Sequence, residues 1–194
     1  LIYINLFALL PLIFYAMYRA RRYKMARTRW RGVRFGMEKG AWGFAARAIG
    51  YGLLTLVSFG ALFPLGNFKL EKYMADRSYF GDARFEQGGK WTALYGAAKH
   101  VFIGLGVLIA GVAIGGAAQS EALMGIAVLV GYIWLMVGFV YYRVHSFRYM
   151  GENRMLGDQI TFTATPTTGE VIKIYIIGAL IIAVVVAVLV FIGG

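Results

Sequence analysis

Apolar residues in this chain come in long blocks, not at the scattered positions of a soluble core. Leu1–Tyr18, Tyr95–Ala118, Ala122–Tyr142 and Val171–Ile192 are each long enough to cross about 30 Å of hydrocarbon as a helix. A fifth block, Ala41–Leu65, is interrupted by Gly50, Gly52, Gly60 and Pro64 and carries Arg47 near its start. It reads either as an ordinary span or as a re-entrant hairpin that turns near Ser58-Phe59-Gly60. Small residues four apart, such as Gly111 and Gly115, let one helix backbone approach another closely. They predict helix packing without naming the partner.

The polar segments between the blocks repeat. Lys72–Asp82 reads KYMADRSYFGD, and Arg148–Asp158 reads RYMGENRMLGD. A fainter copy lies fifty residues before the first, where Tyr23, Arg27, Thr28, Trp30, Arg34 and Phe35 align with Tyr73, Arg77, Ser78, Phe80, Arg84 and Phe85. Repeats in a fixed relation to hydrophobic segments mark a duplicated building block, here about 19–40, 67–90 and 143–169. In each unit an amphipathic helix, Asn67–Ser78 or Tyr142–Asn153, leaves the membrane. Lys72 and Asp76 share one helix face, as do Tyr73 and Arg77. Gly81-Asp82 and Gly157-Asp158 then make a turn, and a short extended piece follows: Val33–Phe35, Ala83–Glu86 and Gln159–Thr165. Three such strands are expected to pair into a small sheet, because isolated strands leave backbone groups unbonded. Thr167-Thr168-Gly169-Glu170 matches a capping box before the last block.

Charge placement bears on topology. Arg19–Lys39 holds nine basic residues and one acid, so it belongs to the cytoplasmic side. A re-entrant Ala41–Leu65 keeps every Lys and Arg on that side or at its boundary, and all three repeat units on one face. That arrangement is favoured. The alternative is a full span with inverted repeats. Composition agrees with a membrane protein: 60% of residues are hydrophobic and the mean hydropathy is +0.66, well above a soluble domain. The net charge of +11 fits cytoplasmic loops against anionic lipid headgroups better than nucleic acid. The chain opens inside one apolar run and closes just after another, as a piece of a longer protein would. The fold expected is therefore mainly α, one polytopic membrane domain over 1–194. It has four or five membrane segments and short cytoplasmic β-strands from a repeated helix–turn–strand unit.

Phe35-Gly36, then Leu53-Leu54-Thr55, Gly60, Pro64, Lys69, Tyr73, Gly81 and Phe85 carry a family likeness. With the last copy, Arg148 to Phe162, they resemble the YjgN-like family of bacterial inner-membrane proteins of unknown function. The likeness covers roughly Trp30 to Thr165. It departs from the family pattern at Gly60-Ala61-Leu62-Phe63, which lacks the expected tyrosine. The resemblance implies a multi-span fold in the bacterial inner membrane and brings no catalytic residue.

Candidate chemistry is sparse. The chain has no cysteine and two histidines, His100 and His145, neither in a metal-ligand spacing. Asp82 and Asp158 follow glycines at matching positions. They suit an ion or proton site less well than a turn, since Arg31-Gly32 replaces the pair in the first copy. No metal, cofactor or catalytic group is expected, and the protein is expected not to be an enzyme. The residues singled out form the repeat motif, as structural or partner-binding groups: Tyr23, Arg27, Phe35, Tyr73, Arg77, Gly81, Asp82, Phe85, Tyr149, Gly157 and Asp158. A scaffold or accessory subunit fits best, contacting lipid headgroups and a protein partner or further copies in the membrane. A transporter or lipid-handling protein with pseudo-symmetric repeats is the alternative.

Overall fold

The computed structural model describes residues 2–157 and 160–193. The chain divides into two compact units, Leu1–Tyr95 with Tyr149–Thr163 and Gly96–Arg148 with Ala164–Gly194.

In the first unit, α1 (Ile2–Arg27) runs from the first apolar block through the basic segment after it. The hairpin β1 (Arg29–Trp30) and β2 (Val33–Met37) follows. The block Ala41–Leu65 is not one helix. It forms α2 (Ala41–Val57), reverses, and continues as α3 (Phe63–Ala75), which packs back on α2. The reversal lies where the sequence predicts a turn. Phe59 and Gly60 take positive φ of 50° and 87°, and Ser58 Oγ accepts the Leu62 N–H at 3.0 Å. Pro64 falls in the first turn of α3, where a missing N–H breaks no helical bond. A second hairpin, β3 (Ser78–Phe80) and β4 (Ala83–Gln87), comes next.

In the second unit, α4 (Leu94–Ala117) and α5 (Glu121–Glu152) are packed through glycines. A β-carbon on Gly111 would overlap that of Ala127, and one on Gly115 would stand 2.8 Å from the Met124 nitrogen. The partner of the Gly111/Gly115 stripe is therefore α5. After α5, the third hairpin, β5 (Arg154–Leu156) and β6 (Ile160–Thr161), belongs to the first unit. The last helix is α6 (Thr168–Gly193), with Thr167 accepting the Val171 N–H at 3.3 Å.

The repeated segment differs from a helix–turn–strand unit. Ser78–Phe80 and Arg154–Leu156 are strands, so each glycine turn joins two strands rather than a helix to a strand. The turn chemistry explains this. Arg31 and Gly32 both have positive φ, 49° and 82°, as a two-residue type I′ hairpin loop requires. Gly81, with φ 57°, takes the first position of the loop between Phe80 and Ala83, as in a II′ turn. All six strands, not three, pair antiparallel in the order β1-β2-β3-β4-β5-β6. Aromatic rings run across the strands: Phe35 lies 4.6 Å from Phe80 and 6.4 Å from Phe85, and Phe85 lies 6.0 Å from Phe162, centroid to centroid. Gly36 lacks a side chain where the ring of its partner Tyr79 lies over the strand.

Two of the inter-hairpin interfaces carry the same bonds at matching positions. Glu38 N–H donates to the Arg77 carbonyl at 2.9 Å, and Gly88 N–H to the Asn153 carbonyl at 2.9 Å. Gly81 N–H reaches Arg34 at 3.2 Å, and Gly157 N–H reaches Arg84 at 2.9 Å. Phe35 faces Phe80 where Phe85 faces Leu156.

Candidate functional site

The helices α1, α2 and α3 and strand β2 enclose a core of Tyr18, Met37, Ala41, Phe44 and Tyr73. Its polar atoms are used. Tyr18 donates to the Glu38 carbonyl at 2.9 Å, and Tyr73 donates to the Gly40 carbonyl at 3.0 Å. The Tyr73 ring carries two guanidiniums, Arg77 at 3.7 Å and Arg47 at 4.6 Å from its centroid.

Three acids hold the strands and helices together. Glu71 of α3 takes Arg21 of α1 at 3.0 Å and Arg154 of β5 at 3.2 Å. Burial alone would raise the Glu71 carboxyl. The bonds and charges of the two arginines outweigh it, and the pKa lies below the usual value. Asp76 pairs with Lys72 at 3.1 Å and accepts the Gln87 N–H at 2.8 Å. Glu38 takes Arg84 at 2.7 Å. Gln87, almost fully buried, donates its amide to the Met150 carbonyl at 2.9 Å and accepts from Arg154 at 3.0 Å.

A cavity of about 430 Å³ opens beside this layer, lined by Tyr15, Tyr18, Arg19, Arg22, Lys39 and Gly40–Gly43. Trp42 and Tyr15 stand at it with rings 4.9 Å apart. Among the described residues its cations have no carboxylate partner. Arg22 donates to the Met37 carbonyl at 3.0 Å, Arg19 contacts Tyr15, and Lys39 makes no hydrogen bond or ion pair among the described residues. The same three helices frame an apolar groove of about 530 Å³, with Leu10, Phe14, Ile49, Leu53, Leu56 and Leu70 on its walls.

The repeat residues land in distinct places. Tyr73 and Arg77 stack as their shared helix face predicts. Tyr149 accepts the Lys90 N–H at 2.8 Å, and Gly81 and Gly157 occupy hairpin turns with φ 57°. Phe35 and Phe85 lie in the aromatic row. Tyr23 is exposed, with Arg27 over its ring at 4.4 Å. Asp82 sits exposed on its loop and makes no side-chain bond among the described residues, so the turn is set by Gly81 rather than by an aspartate bond. Asp158 lies outside the described residues. The motif is thus spread along the sheet rather than gathered at one centre.

The expectations from sequence do not include Glu71, Gln87 or the cavity cations as a group; Tyr15, Tyr18 and Tyr23 interleaved with the basic residues from Arg19 onward are the sequence signal near the cations. In the second unit, His100 and His145 both contact the Tyr141 ring, at 4.7 and 4.0 Å between centroids. Among the described residues no three His, Cys, Asp or Glu side chains form a group that could hold a metal ion.

Among the described residues three helices, Trp91–Ala117, Glu121–Glu152 and Thr168–Ala187, are long and apolar enough to cross a membrane. Together with the antiparallel hairpin layer and its basic cavity they define the class, a mainly helical protein with the build of a membrane protein. The chain belongs to a family of bacterial proteins of unknown function, DUF898, whose family model matches residues 1–191, in keeping with the YjgN-like resemblance. No curated protein and no solved structure matches it.

Proposed function

We propose that the protein is a non-enzymatic membrane scaffold or accessory subunit, holding its hairpin layer against anionic lipid on the cytoplasmic face of the bacterial inner membrane. The observation that carries this reading is the distribution of charge. Glu38, Glu71 and Asp76 are spent on Arg84, Arg21, Arg154 and Lys72, whereas Arg19, Arg22 and Lys39 surround a cavity with no acid of their own. Cations left unneutralised beside a Tyr–Trp pair suit a phosphate at the headgroup level, and the neighbouring apolar groove suits an acyl chain. The transporter reading asks for a cavity lined by repeat-equivalent residues such as Arg77 and Asp82. Arg77 is engaged with Tyr73, and neither residue lines the two cavities described above, which favours the scaffold.

Binding to phosphatidylglycerol vesicles tests this reading. The Arg19→Gln/Arg22→Gln/Lys39→Gln variant is expected to bind about a hundredfold more weakly, at the ~1 kcal/mol that an anionic surface gives each basic residue. Arg29→Gln/Arg31→Gln/Arg34→Gln, with the same charge change on the exposed first hairpin, is expected to lose much less. Equal losses would leave only a general surface charge and remove the pocket.

The pairing of β2 with β3 also supports a re-entrant α2–α3, because the chain leaves one sheet at Met37 and rejoins it at Ser78. Single cysteines at Arg31 and Glu86, in a chain with no native Cys, are then expected to label from one side of the membrane. A cysteine at Glu121 should label from the other. Labelling of positions 31 and 86 from opposite sides would restore the full span and reject this topology.

A further inference from the structure

The matching interfaces extend beyond the strands. Each hairpin after the first receives the one before it, through one set of groups. In the second, Tyr73 bonds Gly40 and the Arg77 carbonyl takes the Glu38 N–H. In the third, Tyr149 bonds Lys90 and the Asn153 carbonyl takes the Gly88 N–H. The same groups exist in the first unit as Tyr23, Arg27 and β1, which among the described residues follow α1 and receive no hairpin. Tyr23 is 59% exposed and Trp30 57% exposed. Trp30 and Val33 flank the two-residue loop and so exchange the ladder bonds, which leaves the Arg29 N–H and carbonyl facing away from β2. In the later units the equivalent residues, Tyr79 and Met155, face Gly36 and Glu86.

At the other end, β6 is the counterpart of β2 and β4. Phe162 stacks on Phe85 as Phe85 stacks on Phe35, and among the described residues the outer edge of β6 has no strand partner. Its chain neighbours Thr161, Thr163 and Thr165 are uncharged, so they accept the arginines at the β1 edge without like-charge repulsion.

We infer that a second copy of this chain docks head to tail, laying the outer edge of β6 and the residues that follow it, Phe162–Ala164, along β1. The register follows from the two interfaces already built. Phe162 faces Trp30, Thr163 faces Arg29 and Ala164 faces Thr28, as Phe85, Glu86 and Gln87 face Leu156, Met155 and Arg154. A heterologous contact of this kind repeats into a ring or an open row. The inference rests on the scaffold reading in that it names the partner as the protein itself.

Disulfide trapping in native membranes tests it. Thr28→Cys and Ala164→Cys are made as separate proteins and mixed by co-expression. The expected result is a covalent dimer on mild oxidation, at least tenfold above either single variant alone. Thr28→Cys with Thr165→Cys, one residue out of register and so on the opposite strand face, is expected to give little. A doubly substituted Thr28→Cys/Ala164→Cys chain is expected to give a ladder of multimers or one closed ring. No mixed dimer, or equal yield from the shifted pair, overturns self-docking. If a different protein then crosslinks to Thr28→Cys at one to one, the edge is a docking site for that protein and the scaffold reading stands. Anionic-lipid binding, read by flotation of the same membranes' vesicles, fails or holds independently.

Discussion

Replacing Glu71 with Ala is expected to lower stability by about 2–3 kcal/mol, somewhat less than the about 3–5 kcal/mol for removing one partner from a fully buried ion pair, because these side chains are partly exposed. Glu71 is the single acid between Arg21 and Arg154, and all three side chains are at most one-third exposed. Without it, two guanidiniums from α1 and β5 remain close together and unpaired. For a chain of this size the loss corresponds to a fall in melting temperature of roughly 4–12 °C in detergent. The ion pairs themselves are less valuable than their loss is costly. Replacing all three residues with apolar ones of similar volume is therefore expected to recover much of the stability; a triple variant as weak as Glu71→Ala would show that the charges stabilise outright. The sign of the pH effect follows from the lowered carboxyl. Its contribution is complete above the unfolded value, near 4.5, and is lost as pH falls through the lower folded value. Melting temperatures of the wild type and of Glu71→Ala should thus converge only once the pH falls below the lowered folded value, and separate at neutral pH.

What the sequence makes legible depends on how local the cause is. Apolar blocks give the helices directly, and Gly60 with Pro64 gives the reversal between α2 and α3, because the turn needs a residue at positive φ and the next helix tolerates an early proline. Gly81 and Gly157 read correctly as turns. What precedes them does not: Ser78–Phe80 continues the spacing of Lys72, Asp76 and Arg77, and three residues are too few to display a strand's alternation against a helix's period. The hairpins are chosen by pairing with neighbouring strands, which a local pattern does not contain. Glu71 is harder still. Its partners lie 50 residues before and 83 after it, and nothing near Glu71 in the chain distinguishes it from a solvent-facing acid on an amphipathic helix. The likeness of Lys72–Asp82 to Arg148–Asp158 is legible in the sequence, but that Tyr73 and Tyr149, and the Arg77 and Asn153 carbonyls, bond at matching positions needs the register of the sheet.

Gly131→Leu is expected to separate α4 from α5. A β-carbon at Gly131 would stand 2.9 Å from the Leu108 β-carbon and 3.0 Å from its α-carbon. At Gly138 the nearest atom is the His100 carbonyl carbon, again at 2.9 Å. These neighbours are mainly backbone, which no rotamer change can move, so a larger residue forces the helices apart along the whole stripe. Water drives the collapse of a soluble core, but between apolar helices in lipid the close fit is itself the main attraction. The loss should then reach the upper part of the about 1–3 kcal/mol usual for overpacking, or roughly 6–12 °C in melting temperature by the same scaling. Gly106 and Gly116 sit on α4, the helix that faces Gly131, with nothing near their missing β-carbons. Gly106→Leu and Gly116→Leu are expected to melt within about a degree or two of wild type, with leucine's higher helix propensity over glycine in their favour. If Gly106→Leu fell as far as Gly131→Leu, the cost would come from helix distortion rather than from the α4–α5 contact, and the glycine stripe would not be what joins them.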